Sequence, residues 1–324
     1  MTLELGTTDI NKIYLGGTEI KKAQLGSTTV YQAGTPTPTE GWAQTSAGIE
    51  GLINAQSCSA KLNATQVCIM NQSTELLEVY DVATLTQVGT GQVVTGSFTN
   101  DNWISYLADN EVIVSYNGTV YQKYVWDSGA ETWSTDGGTI NLGVDTMCVG
   151  ASSTRFFAFR RSGSAGVSCY DLSGGSWTQT GSTKAYTTTT RRQALAILDR
   201  TNNAEVMVCY TYQTAGDSQN EIHAISFNGT AFSDIDTISV GTGTDSFPTM
   251  TRLTDSTFAF FGNITEALEH WTLSGGTLSM DSSLDLSASE NGAFICDYED
   301  NEIMLNSTGA SNFALQFWTY TPPA

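Results

Sequence analysis

The chain has 324 residues and a formal net charge of −20, although only 14% of its residues are charged. An acidic chain repels phosphate backbones, so the composition excludes nucleic-acid binding through a basic surface. The sequence contains no run of about 18 apolar residues, and its first residues lack the basic and then apolar order of a signal peptide. We therefore expect a soluble chain that contacts neither nucleic acid nor membrane.

Residues 1–31 are predicted to form a small β-meander. Two near copies, residues 13–18 and 23–28, each consist of an apolar run closed by a glycine-containing turn. About thirty residues bury too little surface to be stable alone, so we expect this module to pack against a larger body.

A resemblance supports that expectation. Residues 10–31 have the pattern Ile-Asn-Lys-Ile-Tyr-Leu-Gly-Gly-Thr-Glu-Ile-Lys-Lys-Ala-Gln-Leu-Gly-Ser-Thr-Thr-Val-Tyr. This pattern resembles the short repeats at the N-termini of tail-fibre and other virion proteins of tailed bacteriophages, where such a segment helps to attach a variable C-terminal domain to the particle. The resemblance implies a virion attachment module. Its apolar contact residues would be Ile13, Tyr14, Leu15, Ile20, Leu25, Val30 and Tyr31.

Residues 32–41 are predicted to be a linker. Alternating proline and threonine residues disfavour both helices and sheet ladders, and favour an extended, semi-stiff spacer. The domain boundary is placed here, so that residues 42–324 form the large domain.

The large domain repeats one unit six times. In each unit a short polar turn is followed at once by an alternating apolar strand, which is a hairpin signature. The first apolar residues after these turns lie 44 to 52 residues apart, a period typical of propeller blades. They are Val67, Val112, Phe156, Val206, Phe258 and Ile303. The predicted fold class is all-β, with a six-bladed β-propeller.

A second turn recurs between the third and fourth strands of the units, so we predict four strands per blade. It occupies residues 80–85, 126–133, 170–177, 227–232 and 271–278. The last unit lacks its fourth strand, whereas residues 42–47 have the sequence form of one. We predict that residues 42–47 pair with the strand that ends near Tyr320 and close the ring, because closure removes exposed sheet edges.

Cysteine and histidine positions argue against a metal or disulfide framework. All six cysteines fall within predicted strands, where buried, reduced thiols are expected. No Cys-x-x-Cys pair or zinc-like Cys/His spacing is present, so we expect neither a metal nor a cofactor. The two histidines, His223 and His270, fall in the third strands of adjacent blades, where a packed or surface imidazole is expected.

Arginine pairs indicate a candidate ligand site. Middle loops of blades and connections between blades share one face of a propeller, and two arginine pairs fall in such segments near three tyrosines. The predicted site contains Arg160, Arg161, Tyr186, Arg191, Arg192, Tyr210 and Tyr212. Guanidinium groups bind carboxylate, sulfate or phosphate groups, and aromatic rings bind the faces of sugars. The alternative is that these arginines are solvated loop residues.

An enzyme is not expected. Residues 125–133 come near the Ser-x-Asp-x-Gly-x-Thr-Trp box of six-bladed sialidases, but they lack the leading serine and place tryptophan one residue late. We interpret them as a hairpin turn. A carboxylate pair for glycoside cleavage stays an alternative, because the 33 acidic residues offer many pairs.

The predicted function is that of a bacteriophage virion appendage, such as a tail fibre or tail-associated adhesin. The N-terminal module would bind other virion proteins, and the propeller would display loops to a host-surface glycan or receptor. A symmetric homo-oligomer on the particle is expected, because many copies strengthen weak sites. The alternatives are a structural head or tail decoration protein and a glycan-processing enzyme, since propellers support all three functions.

Overall fold

The computed structural model describes only part of the chain. The described residues are 13–15, 18–20, 22–25, 28–32, 41–45, 49–50, 58–71, 74–94, 103–116, 119–143, 146–160, 166–186, 193–199, 205–212, 219–242, 248–262, 267–285, 294–307 and 314–322. Their regular structure consists of β-strands, and no helix able to span a membrane is found among them. The chain divides into two compact units, one of Met1–Gly41 with Thr321–Ala324 and the other of Trp42–Tyr320.

The described residues of the smaller unit form two antiparallel strand pairs. β1 (Ile13–Leu15) pairs with β2 (Thr18–Ile20), and β3 (Lys22–Leu25) pairs with β4 (Thr28–Gln32). The repeated sequence pattern therefore forms the same motif twice. The seven residues predicted to attach to the virion lie on these four strands, and their side chains lie outside the described part of the structure.

The larger unit is a six-bladed β-propeller, as the sequence predicts. Blade 1 contains β7 (Cys58–Asn63), β8 (Gln66–Asn71), β9 (Leu76–Asp81) and β10 (Thr86–Val93). Blade 2 contains β11 (Ile104–Ala108), β12 (Glu111–Tyr116), β13 (Val120–Asp127) and β14 (Thr132–Asn141). Blade 3 contains β15 (Thr146–Ser152), β16 (Arg155–Arg160), β17 (Gly166–Ser173) and β18 (Ser176–Ala185).

The remaining three blades follow the same order. Blade 4 contains β19 (Gln193–Asp199), β20 (Glu205–Tyr212), β21 (Gln219–Phe227) and β22 (Phe232–Thr242). Blade 5 contains β23 (Thr249–Arg252), β24 (Thr257–Gly262), β25 (Ala267–Ser274) and β26 (Thr277–Asp285). Blade 6 contains β27 (Phe294–Glu299), β28 (Glu302–Ser307), β29 (Ala314–Thr321), β5 (Gly41–Gln44) and the short β6 (Ile49–Glu50).

The first strands of neighbouring blades adjoin one another around the ring, and the last adjoins the first. A hydrophobic cluster fills each of the six interfaces between blades in the described part of the ring. Each blade therefore buries both of its faces. This explains why strands such as β8 and β24 read as nearly continuous apolar runs, as expected for sheets covered on both sides.

The N-terminal end of the propeller completes its last blade, which confirms the predicted closure. β5 lies next to β29 at the outer edge of blade 6. The backbone N–H of Thr45 donates to the carbonyl oxygen of Phe317 at 2.8 Å, and the Thr45 hydroxyl donates to the same oxygen at 3.1 Å. A strand distant in sequence thereby satisfies the outer edge of β29.

The outer strand of a blade also docks on the next blade. The N–H of Gly138 in blade 2 donates to the Gly175 carbonyl in blade 3 at 2.7 Å, and Ser182 in blade 3 donates to the Thr230 carbonyl in blade 4 at 2.9 Å. Gly181 has a φ of +72°, and a Cβ atom there would lie 2.4 Å from the Thr230 oxygen. Glycine at this position permits both the turn of the backbone and the close approach.

Three of the six third strands carry a pair of a polar residue and, two residues later, an aromatic residue that donates a hydrogen bond to it. The two side chains share a face because strand side chains alternate. The pairs are Tyr80 Oη to Glu78 Oε2 at 3.0 Å, Trp271 Nε1 to Glu269 Oε2 at 2.8 Å and Trp318 Nε1 to Gln316 Oε1 at 3.0 Å. These bonds satisfy polar groups that the interfaces between blades would otherwise isolate from water.

None of the six cysteines forms a disulfide bond, and five of them are buried. They lie on strands of the propeller, where the sequence places them. Burial raises the pKa of the Cys58 thiol to about 12, so this side chain packs as a neutral, small apolar group.

Candidate functional site

A pocket of about 310 Å³ lies against blade 3, beside Leu142, the residue that follows the outer strand of blade 2. Its polar lining residues are Thr146, Arg160, Ser168, Tyr170, Gln179 and Thr183. Its remaining lining residues are Leu142, Ala158, Gly166 and Ala185. Convergent polar groups in a pocket can fix the orientation of a bound ligand.

Strand alternation places these side chains together. Ala158 and Arg160 are two residues apart on β16, and Ser168 and Tyr170 are two residues apart on β17, so each pair shares one face of the sheet. Ala158 lies directly opposite Ser168 in the antiparallel register. The pocket is therefore built on rigid strands of one blade.

The polar lining is connected by hydrogen bonds. The hydroxyl oxygens of Ser168 and Thr183 lie 2.8 Å apart, and Gln179 Nε2 donates to Thr183 Oγ1 at 3.1 Å. These contacts position neutral donors and acceptors along one wall of the pocket.

Arg160 supplies the positive charge of the pocket. Its side chain is exposed, and it makes no hydrogen bond or ion pair with any residue that the structure describes. The other lysine and arginine side chains described in the propeller all have carboxylate partners. These pairs are Lys61 with Glu299, Lys123 with Glu111 and Asp136, Arg155 with Asp171 and Glu205, Lys184 with Asp234, and Arg252 with Asp255 and Asp300.

The electrostatics of the pocket favour an anion. Burial raises the pKa of the Tyr170 phenol above its ordinary value, and the nearby Arg160 guanidinium opposes this shift only in part. Tyr170 therefore remains a neutral hydroxyl group at pH 7. No carboxylate is among the described lining residues, so none of these residues neutralises Arg160.

The structure places the predicted site residues in different environments. Arg160 lies on the pocket, whereas Arg161, Arg191, Arg192 and the side chain of Tyr212 lie outside the described residues.

Tyr210 requires a correction. Its side chain is 0% exposed and packs against Phe260 between blades 4 and 5, with ring centroids 5.3 Å apart. Its ring is therefore part of the hydrophobic core and is not available to an external ligand.

Tyr186 also differs from the predicted rim residue. Its hydroxyl group lies 3.1 Å from Cys209 Sγ, and its ring centroid lies 4.9 Å from that of His223. Burial raises the pKa of Tyr186 well above its usual range, so the phenol is neutral. Tyr186 fills the interface between blades 3 and 4.

The sequence did not predict Ser168, Tyr170, Gln179 and Thr183 as residues of the site. A signal was present for Ser168, which is a polar residue inside the otherwise apolar start of β17. Polar residues at alternate positions of a central strand indicate either a buried network or a binding wall, and only the position of neighbouring blades distinguishes the two.

A second cavity in the propeller has less capacity to bind a ligand. A cavity of about 50 Å³ near the axis, lined by residues such as Ser59, Cys148 and Cys296, has room for little more than water. The described residues contain no group of three or more histidine, cysteine, aspartate or glutamate side chains arranged to hold a metal ion.

Comparisons with known proteins support the fold. No protein-family model and no curated protein matches the sequence. The structure of AofleA from Arthrobotrys oligospora is similar, with a TM-score of 0.56, 9% identity and 87% of each chain covered. U3-55K has a TM-score of 0.53 and 8% identity, over 82% of this chain and 80% of that chain.

The WD40 repeats of RRP9 are similar to the same degree, with a TM-score of 0.53 and 8% identity over 82% of this chain and 79% of that chain. WD40 repeats form β-propellers, so these likenesses agree with the described blades. At such low identity they show a β-propeller fold and carry no function to this chain.

Proposed function

We propose that this chain is a bacteriophage virion appendage that attaches through residues 1–31 and binds an acidic group on the host surface through the pocket of blade 3. In this proposal residues 1–31 attach the chain to the particle, and the propeller is the rigid scaffold that carries the binding pocket.

The charge of Arg160, which forms an ion pair with no described residue, carries this proposal. A chain of net charge −20 offers many carboxylates, and every other described lysine or arginine of the propeller pairs with one. An exposed guanidinium at a polar pocket is suited to a ligand carboxylate or sulfate, because its fork of donors matches two acceptor oxygens.

The N-terminal sequence supports the other half of the proposal. Residues 10–31 resemble the attachment repeats of virion proteins, and the corresponding strands form two similar hairpins. Presentation of many copies on one particle would strengthen a weak pocket, since linked sites raise the effective concentration.

Competition for host adsorption tests the proposal. The full-length chain, added in excess, should reduce adsorption of purified particles to host cells, whereas the Arg160→Gln chain should not. Lys184→Gln is a matched control, because it removes the same charge from a side chain that is paired with Asp234 at 2.6 Å. It should compete as the unchanged chain does.

Two results would contradict the proposal. Absence of the chain from purified particles, by mass spectrometry, would remove the virion assignment. Presence in particles together with equal competition by the unchanged and Arg160→Gln chains, or with no competition by either, would favour a decoration protein instead of an adhesin.

A further inference from the structure

We infer that the pocket of blade 3 binds a single hexuronate residue, with the sugar carboxylate on Arg160 and the ring hydroxyl groups on the wall formed by Ser168, Gln179 and Thr183. This inference rests on the proposed function and specifies its ligand.

The size of the pocket limits the ligand. Its volume of about 310 Å³ is at the small end of ligand pockets, which span about 300–1,000 Å³. One sugar ring with its substituents is compatible with this space, whereas a longer oligosaccharide would extend out of it.

The interface between blades 3 and 4 is equivalent to the one that contains the pocket, and there a protein side chain occupies the corresponding space. There Cys209 lies opposite His223 on the second and third strands, and His223 Nδ1 lies 3.1 Å from Thr237 Oγ1 on the fourth. Tyr186, the residue after the outer strand of blade 3, places its ring on His223. A six-membered ring supplied by the protein thus occupies that interface.

Blade 3 has the same arrangement with smaller side chains. Ala158 lies opposite Ser168, and Ser168 bonds to Thr183 on the fourth strand. Leu142 follows the outer strand of blade 2, as Tyr186 follows that of blade 3. Because alanine, serine and leucine replace cysteine, histidine and tyrosine, the space that holds a protein ring in one interface is open in the other.

The chemistry of the lining selects a sugar acid over other ring ligands. Ser168 and Thr183 each donate and accept hydrogen bonds, and Gln179 offers both an amide donor and a carbonyl acceptor, which matches the hydroxyl groups of a sugar. Arg160 adds one cation without a competing carboxylate in the described lining. A neutral aromatic ligand would leave both the hydroxyl wall and the guanidinium without partners.

Binding of small ligands to the full-length chain tests this inference. Calorimetry or ligand-detected NMR should show that sodium D-glucuronate binds with a Kd at least about tenfold lower than that of either D-glucose, which lacks the carboxylate, or acetate, which lacks the ring. Arg160→Gln should raise the glucuronate Kd by about tenfold or more. Lys184→Gln should leave it unchanged.

A second variant tests the shape argument independently. Leu142→Tyr copies the residue that fills the interface between blades 3 and 4, and should abolish glucuronate binding without changing Arg160. If it lowers the melting temperature, Thr183→Val, which removes one hydroxyl group from the wall, should still weaken binding several-fold.

Specific outcomes would overturn the inference. Equal affinity for acetate and glucuronate would show that the pocket binds an anion without recognising the sugar ring. Equal affinity for glucose and glucuronate would show that Arg160 does not bind the carboxylate. Glucuronate binding that does not affect particle adsorption would contradict the proposed function and leave this inference intact. Adsorption that depends on Arg160 without glucuronate binding would contradict only the ligand.

Discussion

The indole ring of Trp42 packs against the phenol ring of Tyr320, with ring centroids 5.2 Å apart and planes tilted by 58°. The ring of Tyr320 also stacks on His270 of blade 5, with centroids 3.7 Å apart. One tyrosine therefore joins the N-terminal strand, the last blade and its neighbour. These ring contacts close the propeller between its N-terminal strand and its last blade.

Replacement of Trp42 should weaken the closure of the propeller. We expect Trp42→Ala to lower the free energy of unfolding by about 2–3 kcal/mol, less than a fully buried tryptophan would, because its side chain is partly exposed. Urea unfolding followed by tyrosine and tryptophan fluorescence measures this change. Ala43→Ser, at an exposed position of the same strand, should change stability by less than about 0.5 kcal/mol. Equal effects of the two substitutions would contradict the closure by Trp42.

Gly181 should be intolerant of a side chain. Gly181→Ala is expected to cost about 3 kcal/mol, because alanine is strained at a φ of +72° and its Cβ atom would meet the Thr230 carbonyl at 2.4 Å.

Gly174→Ala is the matched control for that steric contact. Gly174 also has a positive φ, of +57°, but a Cβ atom added there would meet no atom within 4 Å, so a cost of about 1 kcal/mol is expected. Differential scanning calorimetry should show a lower melting temperature for Gly181→Ala than for Gly174→Ala. The same melting temperature for both would mean that the outer strand of blade 3 does not dock closely on blade 4.

Lys123 should contribute more to stability than an exposed lysine. Its buried ammonium group lies 3.1 Å from Glu111 Oε2, 2.9 Å from Asp136 Oδ2 and 2.9 Å from the Ser153 carbonyl of blade 3. Lys123→Met leaves these oxygens without their cation, so a loss of about 3–5 kcal/mol is expected. Lys184→Met, which breaks a more exposed pair, should cost no more than about 1 kcal/mol in the same urea titration. A smaller loss for Lys123→Met than for Lys184→Met would show that Lys123 is not a link between blades.

The stability of the propeller should fall as the pH decreases from about 7 to about 5. Burial lowers the pKa of His223 and of His270, although Glu221 and Asp281 partly oppose these shifts. In the unfolded chain both imidazoles titrate near about pH 6.5. Below that pH the unfolded chain binds protons that the folded chain does not, so unfolding becomes more favourable until the folded pKa values are reached.

The double variant His223→Gln and His270→Gln isolates this effect, because glutamine does not titrate. The free energy of unfolding of the double variant should depend less on pH between about 5 and 7 than that of the unchanged chain. Parallel pH dependence of the two proteins would mean that other groups control acid sensitivity.

Local patterns were sufficient to predict the architecture. The polar turns before residues such as Val67 and Phe258 signal hairpins through a few neighbouring residues, and their period counts the blades. The last unit lacks a fourth strand, and the segment that begins at Trp42 has the sequence form of one. Because exposed sheet edges are unfavourable, these two features predicted the closure of the ring. These features depend on residues close together in sequence or on the repetition itself.

The site depended on contacts that no local pattern contains. Arg155 and Arg160 are five residues apart on one strand, yet Arg155 is held by Glu205 of the next blade at 3.0 Å, whereas Arg160 is not engaged by any described residue. Tyr210 was predicted to be accessible and is buried against Phe260. The alternation of side chains along a strand predicts which residues share a face of the sheet. In a blade covered on both sides it does not predict which residues of the neighbouring blade that face contacts. The sequence thus determined the number and closure of the blades, and the packing of one blade on the next decided which cation remained available and where a pocket stayed open.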